Sequence, residues 1–183
     1  LHLHPDERRL DALLRQADEQ MRTALRALAE AADARKPLIL LGETLRQADE
    51  CAAKNAENSL TDAPTREIHY INMRRQQRRI LLQVAQDAQK VQGHPPQEAE
   101  VRALIGRIFA EYDRENDCTS LLSALHGLLV EMQRQPLPAT RGEFEDRALL
   151  YVLLRRMEDF LLLKREFYET YGYEINHQLE RKS

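Results

Sequence analysis

The stretch Leu137–Tyr151, LPATRGEFEDRALLY, contains a complete helix start. Pro136 and Pro138 hold the preceding segment extended, because a residue before proline is pushed out of the α region. Thr140 stands three residues ahead of Glu143. In this capping-box spacing the threonine oxygen accepts the Glu143 amide and the glutamate reaches back to the Thr140 amide. Phe144, Ala148, Leu149 and Val152 follow at helical spacing, and Phe160, Leu161, Phe167, Tyr168 and Tyr171 carry the apolar face onward. The pattern predicts a sixth helix from Thr140 to Tyr171, about 30 residues and roughly 45 Å long at 1.5 Å per residue.

Five more helical segments precede it. The first spans about Asp6 to Ala34. Its Leu10, Leu14, Ala17, Met21, Ala24, Leu28 and Ala31 alternate steps of four and three, an apolar seam of period 3.5 suited to shallow-angle packing on another helix. Pro37 interrupts the pattern, as a break or as a kink, since proline is tolerated in a first helical turn. A second helix follows to about Ala56, and Asn55–Pro64 is a loop by composition. The third helix covers Thr65–Gln92, and Gly93-His94-Pro95-Pro96 supplies a glycine-then-proline stop. The fourth covers Gln97–Asp113 with Val101, Leu104, Ile105, Ile108, Phe109 and Tyr112 on one face, and the fifth covers Thr119–Gln133 on Leu122, Leu125, Leu129 and Met132. Long helices with short loops predict an all-α, antiparallel four-helix-type bundle of about six helical segments, the fourth and fifth forming one broken rod or a cap.

Composition agrees. Hydrophobic residues make up 43% and charged residues 31% of 183, which is the balance of a chain that folds around a core. Six glycines, seven prolines and a Leu, Ala, Arg, Glu and Gln bias favour helix over strand. The net charge of -3 gives no general attraction to nucleic acid or anionic lipid. Cys51 and Cys118 fit no metal or disulfide framework, which suits a reducing compartment. No apolar run approaches the roughly 20 residues that span a bilayer, and no signal peptide is visible. The opening Leu1-His2-Leu3-His4-Pro5 reads as a piece of a longer protein.

Catalytic constellations are weak. There is no G-x-S-x-G, P-loop, C-x-x-C or H-E-x-x-H, so neither an enzyme nor a cofactor is expected. A di-iron bundle needs two Glu-x-x-His motifs, and only Glu174–His177 matches. His2 and His4 sit at a terminus, and His126 reads as a hydrogen-bonded core or boundary histidine on the fifth helix. No metal site is expected.

The strongest charge feature is Arg74, Arg75, Arg78 and Arg79 within the third helix. Arginines four apart repel on a bare helix, so something must offset them. Either one pair meets acids of another helix, such as Glu143, Glu145 or Asp146, while the other is solvated, or the guanidinium groups hold a carboxylate or lie on a membrane surface. Nucleic acid is disfavoured, because no aromatic residues interleave with the arginines. On the sixth helix, early Glu143, Glu145 and Asp146 and later Arg155, Arg156, Lys164 and Arg165 complement the helix dipole.

Three groups of residues together resemble one known family. They are Tyr70, Met73-Arg74, Gln77 and Ile80-Leu81; then Leu137-Pro138, Thr140-Arg141, Glu143-Phe144-Glu145, Arg147-Ala148 and Tyr151; then Phe160-Leu161 with Lys164 and Phe167. The resemblance is to the C-terminal cytoplasmic domain of bacterial aromatic acid exporters, relatives of fusaric-acid-resistance transporters. It runs over roughly Lys36–Tyr168, with the first helix similar in pattern only. Asp146 stands where a more neutral residue such as Asn is expected. The resemblance implies that residues 1–183 are one helical domain on the cytoplasmic face of the bacterial plasma membrane. A transmembrane region would precede it, with residues 1–35 as the connector. It brings no catalytic residues. Thr140, Arg141, Glu143, Phe144 and Arg147 then read as structural positions where the third helix packs on the start of the sixth. The expected role is assembly or gating through the first helix, whose heptad seam would continue from a membrane helix and pack against a partner, with the protein's own membrane region and further copies of itself as partners. The alternatives are a freestanding helical scaffold, or a domain that senses a small organic acid through Arg74 and Arg78.

Overall fold

The computed structural model describes residues 5–58, 65–113 and 115–180. They form α1 (Pro5–Ala29), α2 (Arg35–Glu57), α3 (Thr65–Ala88), α4 (Pro96–Ala110), α5 (Thr119–Arg134) and α6 (Arg141–Glu180), with no strand among the described residues. The fold is all-α.

α1 and α2 form an antiparallel hairpin; the Asp6 carbonyl near the start of one receives the Asn55 amide near the end of the other, 3.4 Å away. α3 packs on α2, α6 packs on α3, and α4 closes the ring between α6 and α1. α5 lies outside the ring against α6 and α4. The two short helices are therefore neither one rod nor a cap: α4 is a wall of the bundle and α5 a buttress. Their buried leucines and isoleucines dictate this, since Val101, Leu104, Ile105 and Ile108 of α4 all enter the common core.

The α1 seam is consumed by the chain's own core and is not left for a partner, and Ala31, past the end of the helix, is exposed. Leu10, Leu14, Ala17, Met21, Ala24 and Leu28 are all at most 6% exposed. At roughly 1.5–3 kcal/mol for each large apolar side chain, this burial ties α1 to the bundle along its whole length.

The first helix ends earlier than its pattern suggests. It stops at Ala29, and the chain restarts as α2 at Arg35, so Pro37 sits inside the first turn of a new helix and neither kinks nor terminates the old one. Ala31 adopts φ 57°, the Ala32 amide donates to the Ala27 carbonyl at 2.8 Å, and the Ala31 amide donates to Leu28 at 3.4 Å. This is a Schellman turn with alanine where glycine is usual. Asp33 then accepts the Arg35 amide at 2.9 Å and starts α2.

α3 also stops early, at Ala88, and not at Gln92. The Gln92 and Gly93 amides are taken by the buried Asp146 carboxylate of α6, at 3.0 and 2.7 Å. The left-handed residue of this connection is His94, at φ 46°, and Gly93 is not at positive φ. Gly93 is needed for a different reason: a Cβ there would lie 2.8 Å from an Asp146 oxygen.

α6 is longer than expected, 40 residues from Arg141 to Glu180. Thr140 caps it, with its hydroxyl accepting the Glu143 amide at 3.1 Å. Glu143 reaches back one residue further than the capping-box pattern implies, to the Ala139 amide at 2.8 Å. The core side of α6 is Leu150, Leu153, Leu154, Met157, Phe160 and Leu161. Phe144 and Val152 are 61% and 39% exposed, so the stripe that begins at Phe144 faces solvent.

Candidate functional site: a buried polar hub

Polar side chains from three of the long helices converge at one level of the bundle. Tyr70, Arg74 and Gln77 recur at helical spacing on the inner face of α3, so one run of that helix delivers all three. Arg74 is 1% exposed, the most deeply buried charge described. Its Nε and Nη2 donate to the Tyr70 hydroxyl at 3.1 and 3.0 Å, and Nη1 donates to Gln77 Oε1 at 2.6 Å. Its counter-charge is Asp18 of α1, 3.2 Å from Nε. The Tyr70 and Tyr112 hydroxyls both donate to the same Asp18 oxygen, at 2.5 and 3.1 Å. The guanidinium also stacks over the Tyr112 and Tyr70 rings, with centroids at 4.6 and 5.0 Å. Gln77 completes the set by donating to the Phe160 carbonyl of α6 at 2.8 Å.

Burial by itself lowers the Arg74 pKa. The facing Tyr112, Tyr70 and Asp18 outweigh it and hold the guanidinium charged. Burial raises the Tyr112 phenol well above its ordinary range, with the Arg74 charge opposing. Lys164 of α6 sits beside this hub, donates to the Asn116 carbonyl at 3.2 Å and is pushed down to about 8, by burial first and the Arg74 charge second. Burial likewise raises the Cys118 thiol.

Between these groups lies a cavity of about 20 Å³, bounded by Arg74, Gln77, Tyr112, Asn116, Cys118 and Lys164. That is room for a single water and not for an aromatic acid. A larger hollow of about 490 Å³ opens at the far end of the bundle beside the α1–α2 connection. Both arginines at its wall are committed, Arg102 to Glu98 and to the Leu28 carbonyl, and Arg35 to Asp33.

The four clustered arginines part company. Arg74 turns into the hub. Arg75 reaches Asp49 of α2 at 3.3 Å. Arg78 donates to the Leu38 carbonyl at 2.7 Å and lies over Gly42, where a Cβ would be 2.7 Å from its guanidinium carbon. Arg79 is exposed and has no ion-pair or hydrogen-bond partner among the described residues. The acids met are Asp18 and Asp49 of α1 and α2, and not those of α6. α3 and α6 run antiparallel, so the start of α6 packs on the end of α3, and Arg74 lies beside Phe160 instead.

The α6 start is held locally. Arg147 donates to the Pro136 carbonyl at 2.6 Å and to Glu143 at 2.8 Å, while Arg141 pairs with Glu145 at 3.1 Å in solvent. His126 is exposed and paired with Glu158 of α6 at 2.5 Å. No group of three or more metal-ligating side chains occurs among the described residues. His2 and His4 lie outside the described residues, as do the side chains of Glu174 and His177.

Asp18 was not singled out from the sequence, and Tyr112 was placed only on the apolar face of the fourth helix. A signal existed for Asp18, which shares the apolar face of α1 with Leu14, Met21 and Leu25; a carboxylate there must find a partner. Tyr112 keeps the helical spacing of that face although α4 itself ends at Ala110, and the spacing alone does not show that its hydroxyl meets Asp18.

Comparison with known proteins places this geometry. The chain is 27% identical over 125 residues to "Uncharacterized protein YqjA" of Bacillus subtilis (strain 168), a match covering 68% of this chain and 39% of that protein. It shares its fold with a solved structure described as "Crystal structure of putative membrane protein from Clostridium difficile 630", at TM-score 0.78 and 23% identity over 87% of this chain and 99% of that one. The family described as "Putative aromatic acid exporter C-terminal domain" matches residues 2–165, which takes in the first helix as well as the later blocks. The chain therefore belongs to the aromatic acid exporter C-terminal domain family.

Proposed function

We propose that this chain is the non-catalytic cytoplasmic domain of a bacterial exporter of aromatic or other organic acids, acting in assembly and gating of a transmembrane region that precedes α1. The observation that carries the reading is the complete burial of the α1 seam within a domain of this family. A helix fixed along its length by Leu10 to Leu28, and tied by Asp18 to α3 and to Tyr112 beyond α4, transmits displacement without bending. No described helix is long and apolar enough to cross a membrane, so transport chemistry falls to the membrane region. The hub supports the same reading. Its charges are satisfied internally and its cavity admits only a water, which suits a structural joint better than a substrate site.

The test is efflux of benzoate-like acids from cells carrying the full-length protein. Insertion of a flexible glycine–serine segment just ahead of α1 is expected to abolish efflux while membrane insertion persists. Unchanged efflux after that insertion, or after removal of this domain, overturns the reading.

A further inference from the structure

The α6 stripe that faces solvent is not random. Phe144, Ala148, Val152, Arg155, Asp159 and Leu162 follow one another in steps of four, four, three, four and three, and all six are exposed. At 100° per residue they lie within about 80° of arc, a single seam of the kind that packs against another helix. Three of the large hydrophobics exposed on this protein lie on it: Phe144 at 61%, Val152 at 39% and Leu162 at 44%. α6 already meets α3, α4 and α5 on its other sides, so this seam is the face left without a helix.

We propose that this seam is an association surface for a second copy of the same chain, packed antiparallel and centred on Met157. The reason is its symmetry. Val152, Arg155, Asp159 and Leu162 are spaced three, four and three, so the order apolar, charge, charge, apolar reads the same from either end with the charges exchanged. An identical antiparallel helix places Val152 opposite Leu162 and Arg155 opposite Asp159, each twice, which is the self-complementarity of a two-fold interface. A parallel partner places Arg155 beside Arg155 and Asp159 beside Asp159. Arg155 is already steadied by its own Tyr151 hydroxyl and by Glu158, at 2.9 and 3.1 Å, so the guanidinium is held at the surface before a partner arrives. Asp159 is exposed. Further out, Ala148 faces Glu166, leaving room for the glutamate stem beneath a solvated carboxylate.

This deepens the assembly part of the proposed function and rests on it. The paired seam from Ala148 to Glu166 is roughly 27 Å long at 1.5 Å per residue. Two helices in contact over that length make a small interface, so a weak dimer is expected in solution and a stronger one where membrane attachment raises the effective concentration. The two-fold axis runs between the paired α6 helices at the level of Met157.

The test is the mass of the whole 183-residue chain by light scattering and sedimentation as concentration rises. The natural chain is expected to move from monomer toward dimer. R155D and D159R are each expected to stay monomeric with unchanged helical circular dichroism, because like charges then meet across the seam. Mixing the two is expected to restore the dimer, since one copy carries two acids and the other two bases. Val152→Asp, at an exposed position of the seam, is expected to abolish the dimer as well. A natural chain that stays monomeric to about 1 mM, or a mixture no heavier than its components, overturns the proposal. Either result leaves the α1 coupling reading standing, because that is read by efflux.

Discussion

The Asp18 carboxylate of α1 lies 3.2 Å from the Arg74 guanidinium of α3, and it is the only acid paired with that buried arginine among the ion pairs described. Two tyrosines donate to the same carboxylate oxygen. Removing one member of such a pair strands the other charge away from water, a cost of about 3–5 kcal/mol. Asp18→Asn is expected to lose that much in urea unfolding. An Asp18→Leu, Arg74→Met double variant is expected to recover much of it, because no unpaired charge remains. A double variant no more stable than the single one would falsify the buried-pair account.

Lys164 gives the protein an unusual alkaline profile. Its folded value, about 8, lies below its ordinary 10.5, so between those limits the unfolded chain holds a proton that the folded chain has released. Stability therefore rises with pH from about 8 upward. Tyr112 acts in the opposite sense. Its folded value lies well above the ordinary 10.0, so its contribution is complete below 10 and is lost as pH climbs further. Between pH 8 and 10 the buried Cys118 thiol, raised above its ordinary 9.0, opposes the lysine, so the comparison is made in Cys118→Ala. Urea midpoints are expected to increase across that window for Cys118→Ala and to stay flat once Lys164→Met is added.

Ala31 occupies a left-handed position that costs an L-residue about 1 kcal/mol and costs glycine almost nothing. Ala31→Gly is expected to raise stability by about 0.5–1 kcal/mol, read as a higher thermal midpoint. A lower midpoint would show that the extra freedom of the unfolded chain outweighs the relief.

Asp146 replaces the four-residue continuation of α3 that its apolar pattern implies. Asp146→Ala leaves the Gln92 and Gly93 amides without their acceptors, at a cost of about 1–3 kcal/mol. Asp146→Asn keeps one oxygen and is expected to cost less. Gly93→Ala is expected to be as harmful as Asp146→Ala, since its methyl would press on the same carboxylate at 2.8 Å. Equal stability of Gly93→Ala and the natural chain would remove the steric explanation.

The rods were legible because their signals are local. Thr140 with Glu143, the α1 seam, and the Leu122–Leu125–Leu129 stripe each depend on neighbours within one or two turns. The boundaries at Ala29 and Ala88 were not, because a remote carboxylate and a left-handed alanine decide them. Phe144, Ala148 and Val152 carry a proper helical period, yet period alone does not say which side a helix turns inward. The richer row of Leu150, Leu153, Leu154 and Met157 won that side. The hub was half legible. Arg74, Gln77 and Lys164 stood out through the family resemblance, while their partners Asp18 and Tyr112 lie far away in sequence. A split of the arginine repeat between acids of another helix and solvent was legible as one of two readings, but the partners were not, since they lie on α1 and α2 and not at the start of α6.

One carboxylate oxygen shared by Tyr70 and Tyr112, and paired with Arg74, has a consequence for how the molecule comes apart. No one of α1, α3 or the end of α4 can leave without breaking bonds of the other two. Those elements should therefore open as one cooperative unit. Their slowest amide protons are expected to exchange with a common free energy close to that of global unfolding. The α5 amides, outside the ring, are expected to exchange from a cheaper, separate opening.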